Sequence, residues 1–417
     1  MSTTKTGNDL PVPELPVRWL SRSSLRERLD DFLALSEPRL VAFRHRRHRH
    51  PEPSGEEFQT TAAIAERLRD AGLDPKILPG GNGLICDIVG SDDGPTIALR
   101  ADIDALRLKD ECGKSYASTV PGVAHACGHD VHTTVVLGTG LFLAEPARLG
   151  LLRGRVRLIF QPAEENGTGA LKVIAAGGLK GVDRIFAVHC DPKIEVGEVG
   201  LTSGPITSSM DRITVRLKGP GGHSSRPYKT VDLGAATFAV GHLLPTVLRS
   251  KISFTEGYGL TWTMNEMGTA ANVIPDESEI TGTLRCLGHE SRKKALGLLD
   301  PQLQLIAALY GAKAELECVE VVPSTVNEPA SVEIFRRGVV SAGARDVSTE
   351  QSEGGEDFSR YLAWIPGALA RLGVRTPGSR VNLDLHRGDF DVDERCIGVG
   401  VRVMVTTTLT ALGALRD

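Results

Sequence analysis

Arg153-Gly154-Arg155-Val156-Arg157-Leu158-Ile159-Phe160-Gln161-Pro162-Ala163-Glu164-Glu165-Asn166-Gly167 is the stretch from which the rest of the chain can be read. Residues 153–160 alternate polar and apolar side chains, the period of a β-strand. Two adjacent carboxylates just beyond a strand end are costly to bury unless something cationic is near. One of them can bind a metal while its neighbour stays available as a base. Upstream, His125-Ala126-Cys127-Gly128-His129-Asp130-Val131-His132 gathers four potential metal-binding side chains and a carboxylate, between a turn-like Pro121-Gly122-Val123 and the apolar run Val135-Val136-Leu137. Cys127 and His129, two residues apart, would project to the same side of an extended segment. Taken alone, Cys-x-His is equally the pattern of a core cysteine beside a surface histidine. The strand pattern Arg184–Val188 runs into His189, and the segment Asn382-Leu383-Asp384-Leu385 runs into His386. Cys127, His129, Glu165, His189 and His386 thus all fall at strand ends or loops, where ligands gather in an open α/β sheet.

With these residues in place the chain resembles the aminoacylase/carboxypeptidase superfamily of dinuclear metallopeptidases, and within it the branch of hippurate hydrolases, auxin–amino acid conjugate hydrolases and N-acyl-amino acid amidohydrolases. The resemblance runs from about Arg44 to Gly400. It rests on Arg47-His48 with His50-Pro51-Glu52, Leu99-Arg100-Ala101-Asp102-Ile103-Asp104, the Cys127 motif, Gln161-Pro162-Ala163-Glu164-Glu165 and Ala187-Val188-His189. Further on it rests on Gly221-Gly222-His223, Asn272-Val273-Ile274-Pro275, Glu356-Asp357-Phe358 and the segment around His386.

The resemblance implies an α/β, two-domain metallohydrolase. A mixed-sheet catalytic domain would be interrupted by an α+β sandwich that serves as lid and dimerisation domain. It implies Cys127, His129, Glu165, His189 and His386 as metal ligands, with the Cys127 sulfur between two ions, and Glu164 as the general base. Two divalent metal ions are expected. A thiolate suggests Zn2+, the branch is often described with Mn2+, and Co2+ and Ni2+ are further candidates. Asp104 matches an acid that supports the site without binding metal. Asp102 stands where the wider superfamily has a ligating histidine. His223 would stabilise the oxyanion, and Asn272 and Arg285 would hold the substrate's carboxylate. Three departures, Gly355, Cys190-Asp191 and Arg387-Gly388, bear on the substrate pocket and leave specificity open.

The activity implied is hydrolysis of the amide of an N-acyl amino acid or similar conjugate. A dipeptidase or N-carbamoyl-amino acid amidohydrolase could use the same site, and a non-catalytic metal-dependent binding protein is the reading from another class. The partners expected are the small substrate and a second copy of the chain, paired through the lid.

The remaining sequence bounds these readings. At 417 residues the chain is too long for one ordinary core. A net charge of −4 with 24% charged residues argues against a general nucleic-acid binder. No apolar run reaches membrane-spanning length, and Met1–Pro16 lacks the apolar core of a signal peptide. With seven scattered cysteines, reduced thiols in a cytoplasm are expected. The domains expected are an N-terminal arm (1–24), a first catalytic part (25–205), the lid (206–321) and a second catalytic part (322–417). The run Arg44-His45-Arg46-Arg47-His48-Arg49-His50 reads as a largely solvated helix end, its cations complementing the helix dipole. His132 reads as a packed histidine, and Asp130 as a group that orients His129 or caps the following helix.

Overall fold

The computed structural model describes residues 22–253, 257–379 and 384–414. Most of the expected N-terminal arm, and the Asn382-Leu383 pair before His386, lie outside the described residues. The chain forms two compact units. Of the described residues, the larger comprises those within 22–201, 330–349 and 365–414, and the smaller those within 202–329 and 350–364.

The larger unit is built on an eight-stranded mixed sheet. Its order is Lys76–Ile77, Leu84–Val89, Arg153–Gln161, Ser91–Asp102, Arg184–Glu195, Gly367–Arg375, Glu198–Gly200 and Arg345–Val347. The four central strands, from Arg153–Gln161 to Gly367–Arg375, run parallel. Antiparallel pairings occur only nearer the edges. The alternation read at 153–160 is a strand paired on both sides. Gly367–Arg375 is buried along almost its whole length, as expected of a central parallel strand covered on both faces.

Helices Arg22–Arg49, His129–Arg148 and Arg395–Ala411 pack on one another. Phe32 and Phe142 meet edge to face at 5.4 Å, a favoured aromatic geometry. The helices approach so closely that a methyl group at Gly138 would stand 2.8 Å from Val401 and 2.9 Å from Leu40. Apolar side chains of these helices and of the sheet form one continuous core.

The smaller unit is a four-stranded antiparallel sheet, ordered Tyr258–Met267, Glu277–Cys286, Ser209–Lys218 and Lys313–Val322. Glu277–Cys286 alternates buried and more exposed residues, the signature of a sheet covered on one face. Helices Leu233–Lys251 and His289–Ala308 cover that face, closing a separate apolar core around Ile213, Val215, Leu244 and Leu299. The other face carries Arg216 between Glu279 and Glu317, at 2.7 and 3.1 Å. Residues 350–364 also group with this unit. Ser352 exchanges backbone hydrogen bonds with Ile206 and Ser208, and Arg360 donates to Glu320 and to Val321 O. The Ser352 links join segments about 145 residues apart and the Arg360 links segments about 40 apart, so a boundary drawn from local pattern does not contain them.

Candidate metal centre

The site of the larger unit lies at the carboxyl ends of its parallel strands. Asp102 and Gln161 face each other where their strands finish, while Arg184–Glu195 runs on, with His189 opposite Arg371 of the next strand. Against this edge comes Gly128, in the left-handed region at φ +86°, and helix His129–Arg148 starts immediately after it. A Cβ on Gly128 would stand 2.7 Å from the Cys190 sulfur, so only glycine lets the chain pass here. The expected extended spacing of Cys127 and His129 is therefore realised differently, by a glycine turn running into a helix.

The five residues expected as ligands and the one expected as base come together. Donor atoms of Cys127, His129 and His189 lie within 4.8 Å of one another, as do those of Cys127, Glu165 and His386, and those of His129, Glu164 and Glu165. The Cys127 sulfur is 3.6 Å from His189 Nε2. His129 Nε2 is 3.7 Å from Glu165 Oε1 and 4.0 Å from Glu164 Oε2, and His386 Nε2 is 3.5 Å from the same Glu165 oxygen. His129 Nε2 and Glu165 Oε1 are buried without a hydrogen-bond partner. Buried polar atoms are rarely left so; a cation between them satisfies both. A thiol, three imidazoles and two carboxylates form a donor set that fits divalent transition metals. Burial, with Glu165 adding to it, pushes the Cys127 thiol well above its ordinary range. A divalent cation held beside the sulfur would reverse that balance, because metal binding releases the proton.

Hydrogen bonds settle which histidine nitrogens face inward. His129 Nδ1 donates to Asp104, whose backbone and carboxylate oxygens are 3.0 and 3.1 Å away. His189 Nδ1 donates to Cys190 O at 2.8 Å. Each therefore turns the Nε2 lone pair toward the site, the usual arrangement of a ligating histidine. His132 differs: its Nε2 accepts from Cys190 N–H at 2.8 Å, and its Nδ1 donates to Asp102 at 2.6 Å. With both nitrogens used it is a packed side chain, as expected. Burial alone would raise the Asp102 carboxyl, but Arg100 and the two imidazoles hold it well below the carboxylate range.

The turn carrying the two glutamates is strained. Among the described residues, Ala163 (φ 54°) and His386 (φ 61°) are the non-glycine residues with positive φ. Each conformation costs about 1–3 kcal/mol and persists only where surrounding contacts impose it. His386 N–H donates to Ala126 O at 2.8 Å. Ala163 N–H donates to the buried Glu57 carboxylate at 2.8 Å, and Glu165 N–H to Asp104 at 3.1 Å. Sequence reading did not single out Glu57, because an acid in a Glu56-Glu57 pair ahead of a helix looks like a surface residue.

The basic segment is solvated only in part: Arg46, Arg49 and His50 are exposed, but Arg44, Arg47 and His48 are buried. Arg44 and His48 are 0% and 1% exposed. Arg44 reaches Asp130, Glu394 and Asp391 at 2.8, 3.1 and 3.2 Å. His48 lies between Asp130 (2.9 Å) and Asp110 (3.3 Å). Asp130 is thus spent on this network rather than on orienting His129. Burial opposes the charge on His48, but hydrogen bonds to Asp110 and Asp130 outweigh it and raise its pKa to about 11.

A folded-state pKa above the unfolded value of about 6.5 means the stabilisation is complete below that pH and is lost as pH rises through about 11. Unfolding free energy should fall by up to about 1.4 kcal/mol per pH unit in this window, and His48→Gln should flatten that slope. Denaturant titrations at pH 7, 8 and 9 check this; equal slopes in both proteins would refute the assignment.

His223, Asn272 and Arg285 belong to the smaller unit. His223 and Asn272 meet on a two-stranded ribbon, where Ser224 N–H donates to Asn272 O at 3.1 Å and Val273 pairs with His223. Both residues are exposed. Arg285 donates to Glu353 O at 2.7 Å.

The model for peptidase family M20/M25/M40 matches residues 98–410, and the chain belongs to that family. It is 37% identical over 379 residues to a Bacillus subtilis N-acetylcysteine deacetylase, covering 91% of this chain and 98% of that one. It is 43% identical over 380 residues to a Rhodococcus jostii protein that bears a glutamate–cysteine ligase name, covering 90% of this chain but only 47%, about half, of that relative. Among solved structures, a dinuclear metal binding peptidase of the M20 family from Bacillus subtilis superposes with a TM-score of 0.81 at 34% identity, covering 91% of this chain and 99% of that one.

Proposed function

We propose that the chain hydrolyses the amide bond of N-acyl amino acids or similar small conjugates, with two divalent metal ions held by Cys127, His129, Glu165, His189 and His386. The observation that carries this reading is the convergence of those five side chains, with the Glu164 carboxylate beside them. Bound metal would polarise the substrate carbonyl and lower the pKa of water to about 7. The chain's own part is proton transfer and positioning. Glu164 takes a proton from the attacking water as the acyl carbon–oxygen bond forms. It returns that proton to the nitrogen as the carbon–nitrogen bond breaks, leaving a free amine and a carboxylic acid that gives up its remaining proton to solvent. Asp104 holds the His129 ring and the Glu165 backbone, so two of the proposed ligands are held by the same carboxylate.

His223 would donate to the oxyanion, a contribution of about 3–4 kcal/mol, and Asn272 and Arg285 would bind the substrate carboxylate. Pairing of two copies through the smaller unit is part of this proposal. The exposed edge strand Tyr258–Met267 supports it, since an unpaired edge invites another strand. Sedimentation as a fully active monomer would refute the pairing. None of the seven cysteines forms a disulfide, which supports a cytoplasmic location. No helix of the described residues is long and apolar enough to cross a membrane.

The deacetylase names of two Bacillus subtilis relatives make N-acetylcysteine the first substrate to try. Chelated protein, reloaded with Mn2+ or Zn2+, should release free amine from N-acetylcysteine or another N-acyl amino acid. Cleavage of dipeptides or N-carbamoyl amino acids alone would move the substrate class. No turnover across the whole panel would favour a binding protein.

A further inference from the structure

Glu57 ends the segment before helix Phe58–Asp70 but does not cap it with its side chain. It turns inward and is 0% exposed. Its Oε1 accepts from Gly55 N–H and Ala163 N–H, both at 2.8 Å, and its Oε2 accepts from the Asn82 amide at 2.6 Å. Ala163 is the left-handed residue immediately before Glu164. On the other side, Glu165 N–H donates to Asp104, and Asp104 in turn accepts from Ser54 Oγ at 2.6 Å. Two buried carboxylates therefore hold alternate backbone N–H groups, those of Ala163 and Glu165, with Glu164 between them. Gly167 N–H closes the turn on Glu164 O at 2.7 Å. Both clamps trace to one short segment, Ser54 to Glu57.

We propose that Glu57 is a positioning residue for the reaction: through the Ala163 N–H it sets the backbone from which the Glu164 carboxylate is aimed. The inference rests on the reading of Glu164 as general base. Without the Glu57 acceptor, the Ala163 N–H is buried and unpaired, a costly state, and nothing on its amide side holds the left-handed conformation. The turn then relaxes toward an ordinary region of backbone space and the base moves with it. A displacement of about 1 Å at a reacting group can cost about 100-fold in rate. Glutamine at this position keeps a carbonyl oxygen for Ala163 N–H but presents a second amide to the Asn82 amide.

Expected results follow for the metal-loaded protein. Glu57→Ala should stay folded and keep its metal content, yet lose about 10- to 100-fold in kcat, with KM changed less than about threefold. Glu57→Gln should lose less, and the reciprocal pair Glu57→Gln with Asn82→Asp should recover most of kcat, because donor and acceptor are exchanged. Circular dichroism and elemental analysis run alongside. A general loss of structure would lower kcat in step with folded fraction or metal and would not be rescued by the exchange. If Glu57→Ala does not fold, the single and paired Gln variants decide: no gain on adding Asn82→Asp overturns the proposal. Folded, loaded Glu57→Ala within about twofold of the parent kcat overturns it too. Glu164→Gln in the same assay separates the two readings. Full activity there sinks the base assignment itself, whereas silent Glu164→Gln beside fully active Glu57→Ala sinks only the role of Glu57.

Discussion

Glu164→Gln is expected to lower kcat by about 10²- to 10⁴-fold, the range contributed by a positioned general base, while fold and metal content persist. The amide has nearly the shape of the carboxylate and sits in the same buried turn, 8% exposed in the parent. It can still accept a hydrogen bond from water but cannot keep a proton. Glu165→Gln is the control, because its oxygen lies near both His129 and His386. There metal content should fall first, with activity following. Elemental analysis beside initial rates distinguishes the two. If Glu164→Gln empties the site and Glu165→Gln leaves it full, the roles are exchanged.

Cys127→Ser is the second large effect. Cys127 belongs to both ligand groups, with His129 and His189 on one side and Glu165 and His386 on the other. A hydroxyl in place of the sulfur removes a shared donor, and a neutral alcohol is a much poorer ligand than a thiolate. Loss of a group that merely supports a ligand already costs about 10- to 100-fold in metal affinity; loss of this shared ligand should exceed that. Competition with a chelator of known strength measures it. Unchanged affinity would show that the sulfur lies beside the metals rather than between them.

Much of this was legible in the sequence because the signals are local. Strand 153–160 alternates, Glu164-Glu165 follows it, and the Cys127 motif packs its donors within a few residues, so the sheet edge and the side chains that gather there could be read together. The smaller unit's strands and helices likewise follow their periods, as at Ser209–Lys218 and Leu233–Lys251. What escaped depends on distant partners. Arg44 and His48 read as solvated cations because Asp130 and Glu394 lie 86 and 350 residues from Arg44. Glu57 carries no signal in the sequence because its partner Ala163 is 106 residues on. His132 reads as packed from the apolar run that follows it, but its partner Asp102, 30 residues away, is named only by the hydrogen bond between them. The strand ending at His189 was read too short because its continuation pairs with Gly367–Arg375, from the far end of the chain.

The proposed function is metal-dependent amide hydrolysis at the Cys127–Glu165 centre. It is tested most directly by titrating Mn2+ or Zn2+ into chelated protein while following amine release from an N-acyl amino acid. Activity should be absent at the start, rise with added metal and level off at two equivalents per chain, and Cys127→Ser should fail to reach that plateau at the same free metal. Turnover by fully chelated protein, or tight binding of two equivalents with no turnover of any N-acyl amino acid, dipeptide or carbamoyl compound, would contradict it.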